Sequence, residues 1–313
     1  MNIIAERQMR VLVLYYSQTG QLKDIANNCL APLVNDGSVE VDFVKVETEH
    51  QFPFPWTRLT FFNAFPESVF GIPFKLKPIE VDESKDYDLI ILAYTVWYLN
   101  PSIPISSLLQ NEQAKRIFNG KKVVTLIGSR NMWVLAQERV KRHLKELKAD
   151  LIGNIVLIDR NKNLVSIITI IRWMFYGKKN PFWGFPRAGI IQKDIDSSNR
   201  FGKVMLERIK QNDLSDMQEE LNAKGAIEIN PSLVILEKRA TKLFGMYGRF
   251  LSKKGGFYDE ARLGRVNLLS ILLPIGAFIL SPIMTLSMFL ISVIKRKELD
   301  AEIRYFKQNS LHD

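Results

Sequence analysis

Two hydroxyl side chains and a glycine follow an apolar segment near the start of the protein. Residues 9–16 are almost entirely apolar, and they lead into Ser-Gln-Thr-Gly at residues 17–20, where a helical pattern begins. Backbone N–H groups in the first turn of a helix have no intrahelical partner and lie at the positive end of its dipole, so they bind phosphate. Ser17 and Thr19 add hydroxyl donors, and Gly20 allows close approach of the backbone. The segment predicts a phosphate site.

Apolar runs alternate with helical patterns through the first two hundred residues. The runs predict five strands, at residues 9–16, 39–46, 89–93, 123–127 and 155–158. The helical patterns lie at residues 22–34, 104–117, 134–147 and 197–210. This alternation predicts an α/β fold with a doubly wound five-stranded parallel sheet and helices on both faces. Ligands of such sheets bind beyond the carboxyl ends of the strands, where the first, third and fourth strands deliver their loops.

Two aromatic loops follow the third and fourth predicted strands. Residues 94–102 read Tyr-Thr-Val-Trp-Tyr-Leu-Asn-Pro-Ser, and residues 129–133 read Ser-Arg-Asn-Met-Trp. Together with residues 17–20 they place three loops at one edge of the predicted sheet. Aromatic rings at this edge can stack on a flat ligand, which contributes about 1 kcal/mol beyond area burial.

These loops resemble the FMN site of the flavodoxin-like family, whose phosphate loop reads hydroxyl residue, any residue, Thr, Gly, any residue, hydroxyl residue. Residues 17–22 match this pattern except at Leu22, where one hydroxyl donor is missing. The resemblance implies that FMN is the cofactor. FMN fits better than FAD, because the sequence has no Gly-rich fingerprint of a dinucleotide-binding site. The alternative is that residues 17–20 form an ordinary turn between a strand and a helix and bind no phosphate.

The resemblance also implies where the flavin lies. The isoalloxazine ring is expected between the two aromatic loops, with Trp97 and Tyr98 against one face and Asn131 and Trp133 at the other face or at the pyrimidine edge. For Trp97 and Trp133 the alternative is a surface or core aromatic without a ligand. The implied cofactor-binding residues are Ser17, Gln18, Thr19, Gly20, Gln21, Leu22, Thr95, Val96, Trp97, Tyr98, Ser129, Arg130, Asn131 and Trp133.

Composition restricts the partners and cofactors. A formal net charge of +10 and a pI near 9.5 favour anionic partners such as lipid headgroups. Nucleic-acid binding is not expected, because the sequence has no helix-turn-helix, RNP-like or zinc-finger pattern. The one cysteine, Cys29, lies among apolar residues of the first predicted helix and is expected to pack there. The three histidines show no metal-ligand spacing, so no metal is expected.

The 313 residues exceed what one flavodoxin-like unit needs. We expect this unit at residues 8–212 and a helical, membrane-seeking C-terminal extension at residues 213–313. An apolar insertion at residues 161–195 separates the last strand of the unit from its last helix. The insertion is too apolar for a solvent loop, and the sequence leaves open whether it covers the flavin or lies in lipid.

The extension contains two signals for an anionic membrane surface. Residues 231–254 show the pattern of a basic amphipathic helix, for which packing within the protein is the alternative. Residues 266–294 carry no charge and exceed the roughly 20 apolar residues that cross a bilayer. Pro274 and Pro282 interrupt them, and basic residues, Arg262 among them, flank both ends. We therefore expect a bent, monotopic anchor on the cytoplasmic side of the membrane, with a single span as the alternative.

The overall layout resembles the FMN-dependent enzymes that aromatise dialkylcyclohexanediones to dialkylresorcinols in bacteria with flexirubin-type pigments. Overall length, residues 96–102 and the apolar tail carry this resemblance. It implies a lipophilic ring substrate that a partner ketosynthase supplies and that FMN oxidises by taking a hydride. Tyr98 and Asn131 are the candidate catalytic residues, since each can polarise a ring oxygen. The alkyl groups of the substrate are expected against Ile167, Ile168, Ile170, Ile171, Trp173, Phe182 and Trp183.

Other functions stay open at this point. A protoporphyrinogen-type or quinone-type flavodoxin-like oxidoreductase would also act on an apolar ring. An electron carrier docked on a membrane redox partner would leave the flavin edge open to solvent. Flavodoxin-like oxidoreductases are often dimers or tetramers, so a homo-oligomer is open as well.

Overall fold

The computed structural model describes residues 8–309, without the side chains of residues 277–286, 288–290 and 292–293. The strands are β1 (Met9–Tyr15), β2 (Val39–Lys45), β3 (Leu89–Trp97), β4 (Asn100–Pro101), β5 (Lys122–Ser129) and β6 (Asp150–Ile158). The first helices are α1 (Gln21–Val34), α2 (Arg58–Asn63), α3 (Phe65–Phe70), α4 (Ile103–Leu109), α5 (Glu112–Phe118), α6 (Val134–Glu146) and α7 (Asn163–Tyr176). The later helices are α8 (Gln192–Asp196), α9 (Asn199–Lys210), α10 (Met217–Ala223), α11 (Pro231–Ser252), α12 (Leu263–Ile294) and α13 (Arg296–Gln308).

Five strands run parallel in the order β2-β1-β3-β5-β6, and the short β4 pairs antiparallel with the end of β3. Counted over the parallel strands alone, this is the strand order of flavodoxin-like sheets, so the predicted fold class is confirmed. The direction of winding reverses between β1 and β3. The loops that follow β1, β3 and β5 therefore meet at one carboxyl edge of the sheet.

One predicted helix, at residues 104–117, is two helices. The side chain of Asn111 accepts a hydrogen bond from the Gln113 N–H at 2.8 Å and caps a new helix N-terminus there. A short amide side chain satisfies such N–H groups well, which favours a new start over continuation. The prediction of one continuous helix was wrong for this reason.

The main core lies between the sheet and its helices. Residues 11–14 of β1 are fully buried, as are Ile25 and Leu30 of α1. Cys29 is also fully buried there, and desolvation raises the pKa of its thiol to about 12. This burial agrees with the packing role expected for Cys29.

The core does not end at residue 212, where we expected the flavodoxin-like unit to end. Leu214, Met217 and Leu221 belong to the same buried cluster as the sheet. The Val156 N–H on β6 donates to the Ala226 carbonyl at 2.9 Å. Residues 213–227 therefore complete the core, because β6 would otherwise expose one apolar face.

The C-terminal helices pack against the rest of the protein. Leu251 of α11 is buried in a second apolar cluster with Phe65 of α3 and with Val266 and Leu269 of α12. Phe306 of α13 reaches the main core. The amphipathic pattern of residues 231–254 thus has a packing role, and its binding to a membrane stays a prediction.

Residues 266–294 lie in one continuous helix. α12 continues through Pro274 and Pro282, so neither proline ends it, and the expected bend stays a prediction. A proline removes one backbone hydrogen bond and can leave both flanking segments helical. Of the residues with described placement, none forms a helix with the length and apolarity needed to cross a bilayer. Many side chains of the predicted anchor lie outside the described residues, so anchoring stays a prediction.

Arg262 is not an exposed basic flank of this segment, as we had expected. Its guanidinium is fully buried and forms two bonds with the Glu67 carboxylate, Nη1–Oε1 at 2.7 Å and Nη2–Oε2 at 2.9 Å. Arg262 Nε also donates to Asn63 Oδ1 at 2.9 Å. Because Glu67 lies on α3, this ion pair fixes the start of α12 to the segment between β2 and β3.

Candidate functional site

The loop between β1 and α1 has the geometry of an anion site. Gly20 has a left-handed backbone (φ 84°), and a Cβ placed there would meet no atom within 4 Å. The hydroxyl oxygens of the loop make only long contacts with the first turn of α1: Lys23 N–H to Ser17 Oγ at 3.3 Å and Gln21 N–H to Thr19 Oγ1 at 3.4 Å. Both hydroxyls and the backbone N–H groups can therefore turn to a phosphate in the open space beside Gly20.

The other side chains of this loop hold it in place. Gln18 donates from Nε2 to the Pro53 carbonyl at 2.9 Å and accepts at Oε1 from Trp56 Nε1 at 3.1 Å. Gln21 is buried, and its amide pairs with the backbone carbonyl and N–H of Ile190 at 3.0 and 3.2 Å. Leu22 is buried in the core. For Gln18, Gln21 and Leu22, only the backbone is left to contact a ligand.

A two-residue turn joins β3 to β4 and decides where the first aromatic loop points. Both turn residues have positive φ, 47° at Tyr98 and 66° at Leu99. Such values belong to the type I′ hairpin turn, which favours Asn and Gly. Two bulky residues in this conformation are strained, and strain of this kind collects at functional sites.

The turn directs Tyr98 away from the sheet edge, which corrects its predicted roles. Its hydroxyl donates to the Phe61 carbonyl at 2.8 Å, and its ring lies 4.7 Å from the ring of Phe65. Desolvation by burial raises the pKa of Tyr98 well above its usual 10. A hydroxyl that is already bonded and holds its proton firmly is a poor candidate for polarising a substrate.

Trp97 lies in a cluster of aromatic rings at the site. Its ring centroid is 5.7 Å from that of Tyr16, 5.2 Å from Phe52 and 5.4 Å from Trp56, all nearly perpendicular. Thr95, Val96 and Trp97 are each half-buried, so they retain surface at the site. Stacking of Trp97 on a flavin stays a prediction.

The loop after β5 begins at the edge of the sheet and ends in the core. Trp133 is 2% exposed and belongs to the main core, because it directly precedes α6 and packs under that helix. A flavin cannot reach its ring, so the predicted contact was wrong. Ser129 and Asn131 stay at the sheet edge, where the Ser129 hydroxyl donates to the Met132 carbonyl at 3.4 Å.

Arg130 and Asn131 both bind the first residue of α7. Arg130 Nη1 donates to Asn163 Oδ1 at 2.8 Å, and Asn131 Nδ2 donates to the same oxygen at 3.1 Å. Burial lowers the pKa of Arg130 to about 10, although the nearby Asp159 carboxylate acts in the opposite direction. Arg130 therefore stays charged at neutral pH and brings one positive charge to the site.

The apolar insertion forms α7, which lies across the carboxyl edge of the sheet. Its first residue contacts the β5 loop, as described. At its other end the Met174 carbonyl accepts from the Trp56 N–H at 2.8 Å, and the Trp173 ring packs against Gly189, where a Cβ would come within 2.6 Å. Trp56 and residue 190, next to Gly189, in turn bind the β1 loop. α7 thus bridges the loops that an FMN would contact.

Three buried polar atoms at this edge have no hydrogen-bond partner among the described residues: Thr95 Oγ1, Ser102 Oγ and Asn131 Oδ1. The Ser102 N–H donates to the Thr95 carbonyl at 2.9 Å, so these two residues are neighbours. A buried polar atom without a partner costs about 1–3 kcal/mol, which a ligand with polar edges relieves. The residues present therefore fit a flat ligand with polar edges and a phosphate, as FMN has.

Sequence reasoning missed two parts of the site. Trp56 covers the β1 loop, and Asn163 links α7 to the β5 loop. The signal for Trp56 was the aromatic density of residues 52–62, which belong to none of the predicted elements. No pattern marked Asn163. Ile171 and Trp183 are both exposed, and their predicted alkyl contacts stay predictions. Within residues 8–309, no group of His, Cys, Asp and Glu is placed to hold a metal ion.

No protein-family model matches this sequence, and no curated protein matches it either. A flavoprotein from Lactobacillus acidophilus NCFM, solved in complex with FMN, is 20% identical over 47% of this chain and 93% of that chain, with a TM-score of 0.36. Flavodoxin 1 from Bacillus cereus is 14% identical over 62% of this chain and 95% of that chain, with a TM-score of 0.33. A flavone reductase is 12% identical over 64% of this chain and 63% of that chain, with a TM-score of 0.36. These similarities concern the fold alone, which the strand order already defines.

Proposed function

We propose that the protein binds FMN at the carboxyl edge of its sheet and uses it to oxidise a lipophilic ring. The observation that carries this proposal is the meeting, at one edge, of an open helix N-terminus beside Gly20 with the unpartnered atoms of Thr95, Ser102 and Asn131. The first suits a phosphate, and the others suit the polar edges of an isoalloxazine or of a ring substrate beside it.

The position of α7 favours an enzyme over an electron carrier. A carrier needs an open flavin edge for its partner, whereas α7 and Trp56 cover this edge of the sheet. The cover is rich in aromatic rings, Phe52, Trp97 and Phe61 among them. An apolar, water-poor site of this kind suits an apolar ring better than a second protein.

For the reaction we propose aromatisation of a dialkylcyclohexanedione to a dialkylresorcinol. The ring loses two hydrogens, one as a hydride and one as a proton, and becomes aromatic; FMN, when bound, supplies the two-electron acceptor. The protein's own residues bind and orient. The α1 N-terminus holds the phosphate, and Asn131 Oδ1 accepts from a ring hydroxyl. Arg130 supplies positive charge, and α7 excludes water.

The cofactor assignment is tested by Gly20→Ala, with Gly225→Ala as a matched control. Both glycines have positive φ, 84° and 79°, and a Cβ at either meets no atom within 4 Å. Each variant therefore carries similar backbone strain, about 1 kcal/mol, but only Gly20 borders the proposed phosphate. We expect Gly20→Ala to weaken FMN binding about tenfold, measured by flavin fluorescence titration, since the added Cβ enters the space proposed for the phosphate and lengthens the hydrogen bonds to it. Equal affinities in the two variants, or a wild-type protein that does not bind FMN, would contradict the assignment.

The substrate is tested on the FMN-loaded protein without oxygen. A dialkylcyclohexane-1,3-dione is expected to bleach the flavin absorbance with formation of one resorcinol per flavin, measured by mass spectrometry. Protoporphyrinogen and a quinol serve as alternative ring substrates. If only protoporphyrinogen or only the quinol bleaches the flavin, the protein is an oxidoreductase of the protoporphyrinogen type or of the quinone type, respectively. Bleaching by none of them, with FMN bound, supports an electron carrier.

A further inference from the structure

α7 buries two polar side chains and exposes two of its large apolar ones, although Trp173 near its C-terminal end is also buried. Ser166 and Thr169 are buried, and the Ser166 hydroxyl donates to the buried Asp159 carboxylate at 2.6 Å. Leu164 and Ile171 are exposed. A helix on the surface of a domain in water normally has the reverse arrangement. The outer face of α7 is therefore suited to an apolar environment.

The segment after α7 forms a hairpin with an aromatic tip. Phe182 and Phe185 exchange backbone hydrogen bonds at 3.1 and 2.7 Å, and their rings stack 5.2 Å apart. Trp183, at the tip, is 94% exposed and has a positive φ of 42°. Both the exposure and the backbone conformation are unfavourable for a Trp in water. The hairpin nevertheless holds this ring outward.

The same segment is strongly basic. From Arg160 to Lys193 the sequence has seven basic side chains and no acidic one. The Arg172 guanidinium lies 4.2 Å from the ring centroid of Phe182, and Lys178 is exposed beside the hairpin. Apolar rings at the tip with basic groups at the base are complementary to a layer that is apolar inside and negatively charged at its surface.

A second exposed apolar stripe lies on α12. Its exposed members follow the helical spacing i, i+3, i+4, i+7: Leu268, Ile271, Leu272 and Ile275. The opposite face of α12, with Val266 and Leu269, packs in the cluster that also holds Phe61 of α2. α7 reaches the same cluster, since the Phe175 ring lies 5.4 Å from that of Phe61. The buried face of α12 and the C-terminal end of α7 therefore share one apolar cluster, and the exposed stripe lies on the other face of α12.

We propose that the outer face of α7 and the hairpin at residues 177–187 dock on a lipid bilayer that contains anionic lipid. Trp183 and the two Phe rings enter the interface, where aromatic side chains with a polar handle are favoured. Lys178 and Arg187 contact the negatively charged headgroups. This surface is separate from the FMN loops, so the inference goes beyond the proposed function and does not depend on it.

The first test is binding of the full-length, FMN-loaded protein to phosphatidylcholine vesicles with and without phosphatidylglycerol. We compare Trp183→Ser with Tyr258→Ser, because Tyr258 is another exposed aromatic, 74% exposed, outside the hairpin. Trp183→Ser is expected to lower partitioning into anionic vesicles about tenfold, measured by co-sedimentation, since a large apolar side chain leaves the interface. It is also expected to abolish the blue shift of Trp emission that vesicles cause in the wild type. Tyr258→Ser is expected to change neither.

The second test separates charge from apolar contact. The double variant Lys178→Glu, Arg187→Glu is expected to lose more than about tenfold in binding to anionic vesicles and little to neutral ones. The control double variant, Lys203→Glu with Lys224→Glu, has the same change in net charge on exposed residues elsewhere. Its binding is expected to fall far less, because its charges do not face the headgroups.

Three outcomes would overturn this proposal. One is a wild-type protein that binds neither kind of vesicle, and another is Trp183→Ser binding as the wild type does. The third is self-association without lipid that Trp183→Ser abolishes, since the hairpin would then join copies of the protein. FMN content is measured in every sample, so a failure of the cofactor assignment is distinguishable from a failure of lipid docking.

Discussion

α1 and α7 are both helices of fourteen residues, but opposite kinds of contact hold them in the protein. α1 buries a full apolar face, including Ile25 and Leu30, against the sheet. α7 buries Ser166 and Thr169 along with Trp173, and leaves Leu164 and Ile171 exposed. The difference shows that an apolar face fixes the helix beside the sheet, whereas hydrogen bonds and a few aromatic contacts near its C-terminal end fix the helix across the sheet edge.

Buried polar contacts help to hold the C-terminal helices, as they do α7. The ion pair of Arg262 with Glu67 holds the start of α12. On α11 the buried carboxylate of Glu237 accepts from the Leu135 N–H at 2.8 Å, in the first turn of α6 and directly after the β5 loop. Buried polar groups therefore add to the apolar clusters that attach the part of the protein beyond the flavodoxin-like sheet. Three comparisons of variants test these contacts.

The largest loss of stability is expected for Arg262→Met. The variant leaves the Glu67 carboxylate buried without its partner, which costs about 4 kcal/mol. Urea unfolding followed by circular dichroism measures the change. Arg249→Met, at an exposed position of α11, is the control and is expected to cost less than about 0.5 kcal/mol. Similar losses in the two variants would mean that the ion pair does not hold α12.

A direct test of the contrast between the two helices compares Leu30→Ala with Ile171→Ala. Leu30 is fully buried on α1, so its truncation leaves a cavity and costs about 3 kcal/mol. Ile171 is 42% exposed on α7, so its loss changes the free energy of unfolding by less than about 0.5 kcal/mol. Thermal and urea unfolding in the absence of lipid measure both. A large cost for Ile171→Ala would show that its face is covered in solution.

The last effect depends on pH and concerns Glu237. Desolvation by burial raises its pKa to about 7, from an ordinary value of 4.5. The folded protein therefore holds this proton more firmly than the unfolded state, and its contribution to stability is full below pH 4.5 and declines as the pH rises through 7. Glu237→Gln, whose amide oxygen can still accept from Leu135, is expected to remove this decline. It should match the wild type in acid and exceed it by up to about 3 kcal/mol above neutral pH. Parallel stability profiles of the two proteins between acid and neutral pH would contradict this.

Prediction from sequence succeeded where the determining contacts are local. The strands can be recognised as short apolar runs. Residues 17–20 can be recognised as a loop that connects a strand to the N-terminus of a helix. These features need only neighbouring residues, because backbone hydrogen bonding and alternation of burial define them. Cys29 could be placed for the same reason, as one position on a periodic apolar face.

Prediction failed where the direction of one side chain mattered. Trp97 ends β3 and Trp133 follows β5, and both strands end at the same edge, yet one ring lies at the site and the other in the core. The two-residue turn at Tyr98 directs its hydroxyl to Phe61, and no local pattern reveals that. The backbone angles of the turn and the start of α6 decide these directions, and both depend on packing with distant segments.

Local sequence patterns are enough to define the doubly wound sheet, the place of the loop between β1 and α1 and the basic, apolar character of the insertion. Only long-range packing defines how α7 lies across the site with Leu164 and Ile171 exposed, how Trp56 contacts the β1 loop and how Arg262 is buried with Glu67. These contacts join residues that are far apart in the sequence. The periodicity of apolar residues indicates which side chains are buried, but it does not indicate which distant residues they contact.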